Sequence, residues 1–371
     1  MKSKGSILIL ALLIVFVLTS CNVNKTIKIG FAGSITGKSF ELGLPAKNGF
    51  LLAVDQINEQ GGINGRKIEV VIKDDESDID SAHRIVSEFT DENVSFVVGF
   101  LTSNMMPAVT DSSDKGDIFF ISPTMSTKLL SDIDDNFFRI ISVSESEADI
   151  FVEVLTEYHN VSKTAVVYDM SNAQFSEGIF ERFEKLYSEI GNEIVYTNTL
   201  NIPDINYENI AIGINESDAE GVVLITNTID AANIMQQLQK LNVDVVIINS
   251  GWSMGYELLE RSGKSSEGIY GVVEHYTDNN SPYYQEFVDN YMKKYNDKPF
   301  FSAHLTYDAV MVLFEAMEES QSFEIEDVKD AIIEIGHFGG LQADFYINEY
   351  GDAERPKLLL KVEDGKYKTI K

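Results

Sequence analysis

The sequence predicts an α/β fold built twice over, and three observations carry that reading. Short β-branched runs alternate with helix-period stretches from Thr26 to Asn249, the pattern of a parallel sheet with crossover helices. The alternation pauses at a polar stretch, 142–146, and then resumes. Hydrophobic residues make up 44% of a 371-residue chain, enough for two cores and too many for a disordered chain.

In the first unit, 27–31 is a strand, and a Gly/Ser/Thr loop follows it. Ala46, Gly49, Phe50, Ala53, Val54 and Ile57 then share one face of a helix that Gly61-Gly62 ends, glycine being the usual stop signal. Strands at 67–73, 95–99 and 117–122 and a helix around Ala82, Ile85, Val86 and Phe89 complete this unit. The second unit has strands at 164–168, 193–199, 221–226 and 243–249 and helices at 147–158, 175–190 and 230–241. Past Gly268, helices at 283–295 and 302–317 and strands at 345–347 and 357–362 are too much for a tail and too little for a third domain. They read as a segment that returns to complete the earlier units. The two similar halves hint at duplication, and no shorter repeat is present.

Lys2, Lys4 and the apolar run 7–18 read as a signal peptide over 1–20, too short for a spanning helix. Leu18-Thr19-Ser20-Cys21 closes it, and Cys21 is the single cysteine. The expectation is diacylglyceryl attachment at Cys21, a tether over 21–25, and an extracytoplasmic, membrane-anchored body with no disulfide. The formal charge of −30 argues against nucleic acid or anionic lipid surfaces, which need clustered Lys and Arg.

Several motifs fail on their spacing. The segment 33–39 follows a strand, but three residues rather than four separate Gly33 from Gly37, so Lys38 is out of register for a phosphate loop. Gly251-Trp-Ser-Met-Gly255 matches G-x-S-x-G after a strand; a hydrolase with Ser253 as nucleophile is a minor alternative, lacking a recognisable oxyanion segment. Histidines 83, 159, 275, 304 and 337 are scattered, and no metal site or cofactor is implied. Asp74, Asp75, Glu76 and Asp78 lack calcium-loop spacing and read as a solvated turn. Small hydroxyl residues recur instead at strand C-terminal ends: Ser34 and Thr36, Thr102 and Ser103, then Thr124, Ser126 and Thr127. In an open parallel sheet that edge is where ligands sit, and hydroxyls with free helix-start amides suit a carboxylate. Each residue taken alone also fits a simple N-cap.

Six ordered blocks carry a family resemblance: Lys28-Ile-Gly-Phe-Ala-Gly-Ser-Ile-Thr-Gly37, Asn58-Glu-Gln-Gly-Gly-Ile-Asn-Gly-Arg-Lys67, Asp74-Asp75, Ile121-Ser-Pro-Thr-Met-Ser126, Tyr307-Asp-Ala309 and Tyr350-Gly-Asp352. From Ile27 onward the chain resembles the leucine/isoleucine/valine-binding class of extracytoplasmic solute-binding proteins. The resemblance implies the type I periplasmic-binding fold, two Rossmann-like lobes joined by three crossover hinge segments. Lobe 1 would be 26–143 plus 275–356, and lobe 2 would be 144–274 plus 357–371. It further implies a non-enzymatic monomer that captures an amino acid or related small carboxylate between the lobes, closes about the hinge, and delivers to an ABC permease. A sensory module for a membrane receptor is the alternative reading of the same fold.

Carried over by position, Ser103 and Ser126 would donate hydroxyl hydrogen bonds to the ligand carboxylate, beside Thr102, with Thr124 contributing backbone polarity. Leu42 would lie on the same side. Opposite them, Phe175-Ser176 stands where many relatives have Tyr-Gly, and Asn227 replaces a second tyrosine. The position of an acidic partner for an amine falls in Ser250-Gly251-Trp252, which holds no carboxylate. Trp252 and Phe175 would instead form an aromatic wall, with Asp169 or Glu274 supplying charge.

Overall fold

A computed structural model describes residues 26–113, 116–200, 205–274 and 281–370. The expected leader, Cys21 and the tether lie outside these residues. The first sheet has five parallel strands in the order β2-β1-β3-β4-β5: β1 (Ile27–Gly33), β2 (Ile68–Asp74), β3 (Phe96–Val98), β4 (Phe119–Ser122) and β5 (Phe137–Arg139). The inner strands β3 and β4 are buried at every position, as a sheet covered on both faces requires. Between strands run α1 (Phe40–Gln60), α2 (Ile79–Asp91) and α3 (Met106–Ser113). Gly61, at φ 119°, ends α1 by donating its N–H to the carbonyls of Asn58 and Ile57, and the Asp78 carboxylate caps α2 through Ser81 N–H.

The second sheet has seven strands, ordered β15-β14-β10-β9-β8-β6-β7. Its parallel part is β6 (Lys163–Asp169), β7 (Glu193–Leu200), β8 (Gly221–Ile225), β9 (Val246–Asn249) and β10 (Tyr270–Val273). The antiparallel edge is β14 (Leu358–Glu363) with β15 (Lys366–Thr369). Its helices are α4 (Glu147–Glu153), which continues as a π-helical turn over Val154–Tyr158, α5 (Ala173–Glu189), α6 (Tyr207–Glu216), α7 (Thr228–Lys240) and α8 (Tyr256–Ser262).

The returning segment supplies α9 (Pro282–Tyr295), α10 (Phe301–Glu319), α11 (Ile325–Ile335) and a small sheet of β11 (His337–Phe338), β12 (Phe345–Ile347) and β13 (Ala353–Glu354). These pack on the first sheet, not the second: one core cluster joins Phe31, Phe50, Phe119 and Phe138 to Phe287, Leu313, Phe314 and Phe345. Each such buried ring contributes about 1.5–3 kcal/mol by leaving water. Helices α1 and α10 approach so closely at Gly49 that a Cβ there would stand 2.3 Å from the Ala303 carbonyl oxygen. Buried Arg139 locks β5 to the return through Asp352, the Thr127 carbonyl (2.8 Å) and the Ser131 hydroxyl (2.6 Å). The chain thus passes between the two sheets three times: after β5, after β10, and from β13 to β14.

The expected elements are present, with ends shifted by a residue or more; the strand expected over 243–249 is paired only over Val246–Asn249. The solvated turn is present, with Glu76 and Asp78 exposed, and one residue of it is a correction. Asp75 is fully buried and accepts from the Ser34 hydroxyl at 2.6 Å, while half-buried Asp74 accepts from the Thr36 hydroxyl at 2.7 Å and from Ile35 N–H at 3.0 Å. The two carboxylates hold the loop after β1. Among the described residues no three His, Cys, Asp or Glu side chains are placed to hold a metal ion, and no helix is long and apolar enough to cross a membrane.

Candidate functional site

The loops leaving the C-terminal ends of β3 and β4 interlock. Ser122 donates its hydroxyl to the Phe100 carbonyl at 2.5 Å and accepts from Met125 N–H at 3.0 Å. Thr124 donates its hydroxyl to the Leu101 carbonyl at 2.7 Å. Ser103 accepts from Ser126 N–H at 3.3 Å. Ser144, on the first crossing, donates both its N–H (3.0 Å) and its hydroxyl (3.2 Å) to the Ser126 carbonyl. With its backbone held on both sides, Ser126 keeps its hydroxyl free of any protein partner among the described residues.

Ser126 lines a cavity of about 60 Å³ between the two sheets. Of the residues expected to bind ligand, Leu42, Thr124, Ser126, Phe175 and Trp252 line it. Phe175, at the start of α5, and Trp252, in the turn after β9, meet edge to face at 5.6 Å and 82°, with 8% and 7% of their surface exposed. Such a pair is rigid and presents an apolar wall. Leu101, Ile141, Val273, Phe301 and Leu305 complete the apolar lining. Thr102 and Ser103 are buried behind it.

The polar lining comes from the crossings. Glu274 follows β10 and Lys357 precedes β14; their side chains pair at 2.5 Å with 8% and 14% exposure, and the second Glu274 oxygen accepts from Ser142 N–H at 3.0 Å. Burial works against the Lys357 charge, but Glu274 and Glu147 outweigh it and hold its pKa above the ordinary lysine value. Glu147, the first residue of α4, is 7% exposed and accepts from Gly251 N–H at 3.1 Å. Burial first, then the neighbouring Glu274 and Glu145 charges, push its pKa up to about 7, against Lys357 and the Gly251 hydrogen bond. Glu274 was anticipated from the sequence; Glu147, Lys357, Ser142 and Ser144 were not. Ser142 and Ser144 fall in the polar interruption at 142–146, read there only as a boundary, with Glu147 directly after it; Lys357 carries no such signal.

Asn227 is placed elsewhere. It caps α7 by accepting from Asp230 N–H, and its amide donates to Asp230 (2.7 Å) and Asp169 (3.2 Å), beside a separate groove with Glu41 and Tyr207. Asp169 is held in the same network, away from the cavity lining. Ser253 is fully buried and donates to the Ser250 carbonyl at 3.3 Å; His159 bonds Tyr270 and His304 bonds Tyr284, so neither arrangement forms a serine–histidine pair with it.

Comparison with known proteins agrees with this architecture. A leucine-, isoleucine-, valine-, threonine- and alanine-binding protein of Pseudomonas aeruginosa is 24% identical over 83% of this chain and 82% of its own length. A Leu/Ile/Val-binding protein homolog of Brucella melitensis is 25% identical over 92% of each. Among solved structures, a branched-chain amino acid transporter substrate-binding protein of Streptococcus pneumoniae in complex with isoleucine superposes with a TM-score of 0.83 at 26% identity, over 92% of this chain and 98% of that one. A solute-binding protein of an ABC transporter from R. palustris, in complex with benzoate, superposes at 0.82 and 18% identity over 93% and 95%, a likeness of fold. The family described as periplasmic binding protein matches residues 26–366, and with two crossover-linked α/β sheets around one lined cavity, the chain belongs to it.

Proposed function

We propose that this chain captures an amino acid or related small carboxylate in the cavity between its sheets and delivers it to an ABC permease, held at the membrane through lipid on Cys21. The observation that carries the reading is Ser126, its backbone held by Ser103 and Ser144 and its hydroxyl unpaired among the described residues, lining a cavity whose other wall is Phe175 and Trp252. A carboxylate there meets a free hydroxyl donor, and an apolar side chain meets the rings. The lobes are 26–143 plus 275–356 and 144–274 plus 357–371, hinged on the three crossings. Ligand contacts made from both lobes stabilise the closed arrangement, and the permease reads closure.

The test is a thermal-shift screen of the purified chain over amino acids and aromatic acids, followed by calorimetry of each hit on Ser126→Ala. A hit weakened by the substitution supports the reading. If no carboxylated compound binds, the reading falls.

A further inference from the structure

The family resemblance implies an acidic partner within Ser250-Gly251-Trp252, and none of the three carries a carboxylate. The structure fills that place from another element. A Cβ built on Gly251 would lie 3.4 Å from Oε1 of Glu147, while Oε2 of Glu147 accepts the Gly251 N–H at 3.1 Å. The carboxylate of Glu147 therefore lies against the Gly251 backbone, where the Val272 carbonyl oxygen, 2.7 Å from a Cβ built there, leaves no room for a side chain.

Its electrostatic situation differs from that of Glu274. Both Glu274 oxygens are engaged, one by Lys357 and one by Ser142 N–H. Glu147 makes no ion pair, and its Oε1 accepts no hydrogen bond among the described residues. It lines the cavity while 7% exposed. A buried carboxylate without a cation is unfavourable unless it takes up a proton or meets a positive charge. The chain also sets it beside the carboxylate-binding hydroxyl: Ser144, which holds the Ser126 carbonyl, lies three residues before Glu147 along helical turns, a spacing that brings side chains to one face.

Resting on the capture function proposed above, we infer that Glu147 is the counter-group for a ligand ammonium, so that the site selects α-amino acids with apolar side chains over carboxylic acids that lack the amine. The carboxylate comes from the first turn of α4 rather than from the loop after β9, and the Gly251 N–H holds one of its oxygens. Arriving ammonium supplies the one charge the cavity lacks.

The test is titration calorimetry of the whole chain, refolded free of copurified ligand, with two matched pairs: L-leucine against 4-methylpentanoate, and L-phenylalanine against 3-phenylpropanoate. Wild type binds at least one of the amino acids tenfold or more tightly than its amine-free partner. Glu147→Gln weakens that amino acid at least tenfold and leaves the amine-free acid no weaker, which closes the gap; Glu147→Asp, which restores the charge, recovers part of the loss. A melting temperature and near-ultraviolet spectrum matched to wild type verify that the Gln variant is folded. If 4-methylpentanoate or 3-phenylpropanoate binds wild type as tightly as its amino acid, or if Glu147→Gln leaves the preference intact, the inference is overturned while capture of a carboxylate stands. If none of the four binds, the capture reading itself fails for this apolar-lined cavity, and the inference with it.

Discussion

Asn104 and Asn172 meet across the gap between the two halves, the Asn104 N–H donating to the Asn172 side-chain oxygen at 3.1 Å. The Asn104 amide adds two more bonds to the same turn, donating to the Ser171 carbonyl at 2.8 Å and accepting from Gln174 N–H at 3.0 Å. One side chain from the turn after β3 thereby clasps the start of α5, the helix that carries Phe175.

Asn104→Ala removes two of these three bonds, which on the hinged closure proposed above form only when the halves come together. Ligand affinity falls by about 1–2 kcal/mol, since each such bond contributes about 0.5–1.5 kcal/mol net. Calorimetry measures the loss, and small-angle scattering of the ligand-free protein shows a larger radius of gyration than wild type. Identical scattering and affinity would dismiss the clasp.

Ser126→Ala and Ser103→Ala separate a ligand donor from its support. Ser126→Ala weakens carboxylate binding by about 1–3 kcal/mol, the effect of leaving a buried polar group unmet, with little change in melting temperature. Ser103→Ala frees the Ser126 N–H and lowers both affinity and stability. Equal affinities in wild type and both variants would refute the carboxylate clamp.

Lys357 and Glu274 form a pair whose removal from one side is worse than its removal from both. Lys357→Met strands the Glu274 carboxylate among Glu147 and apolar neighbours and destabilises the fold by about 3–5 kcal/mol. The double replacement Lys357→Met with Glu274→Met recovers a substantial part of that, as urea unfolding of the three variants will register. Additive losses would contradict the account.

Stability of the ligand-free protein should fall as pH rises from about 4.5 to about 7. Burial first pushes Glu147 up to about 7, with Glu274, Glu145 and Lys357 facing it. Burial and then Glu257 do the same to Glu41, near Thr228, Asp230 and Arg261. A carboxyl raised in the folded state keeps its proton there while the unfolded chain has lost it, so the stabilisation is complete below about 4.5 and gone above about 7. Glu147 alone accounts for something on the order of 3 kcal/mol. Urea midpoints at pH 5 and pH 8 measure the slope, and Glu147→Gln reduces it, leaving the Glu41 share.

Much of this was legible in the chain because it depends on local pattern. β1 through β4 and the long helix α1 announce themselves by period, and Thr124 and Ser126 follow a strand end, whereas Phe175 and Trp252 came as ligand residues from the family resemblance. The charged lining was illegible for a different reason: Glu147 is one of 59 acidic residues, and only the meeting of crossings separated by more than two hundred residues makes it special. Asn227 shows the converse. Its side chain is consumed in capping α7, a competing local use that alignment by position does not register. The buried Asp75 was misread because an acidic run reads as solvent-facing until its hydroxyl partner Ser34, forty-one positions earlier, is in place.

The arrangement at Glu274 has a practical consequence. One carboxylate is shared between Ser142 N–H and Lys357, so a single side chain ties all three crossings to one another. A fluorophore meant to report the proposed capture therefore belongs away from Ser142, Glu274 and Lys357, where a label would break the bonds that join the crossings, and away from Asn104 and Gln174, where it would break the clasp.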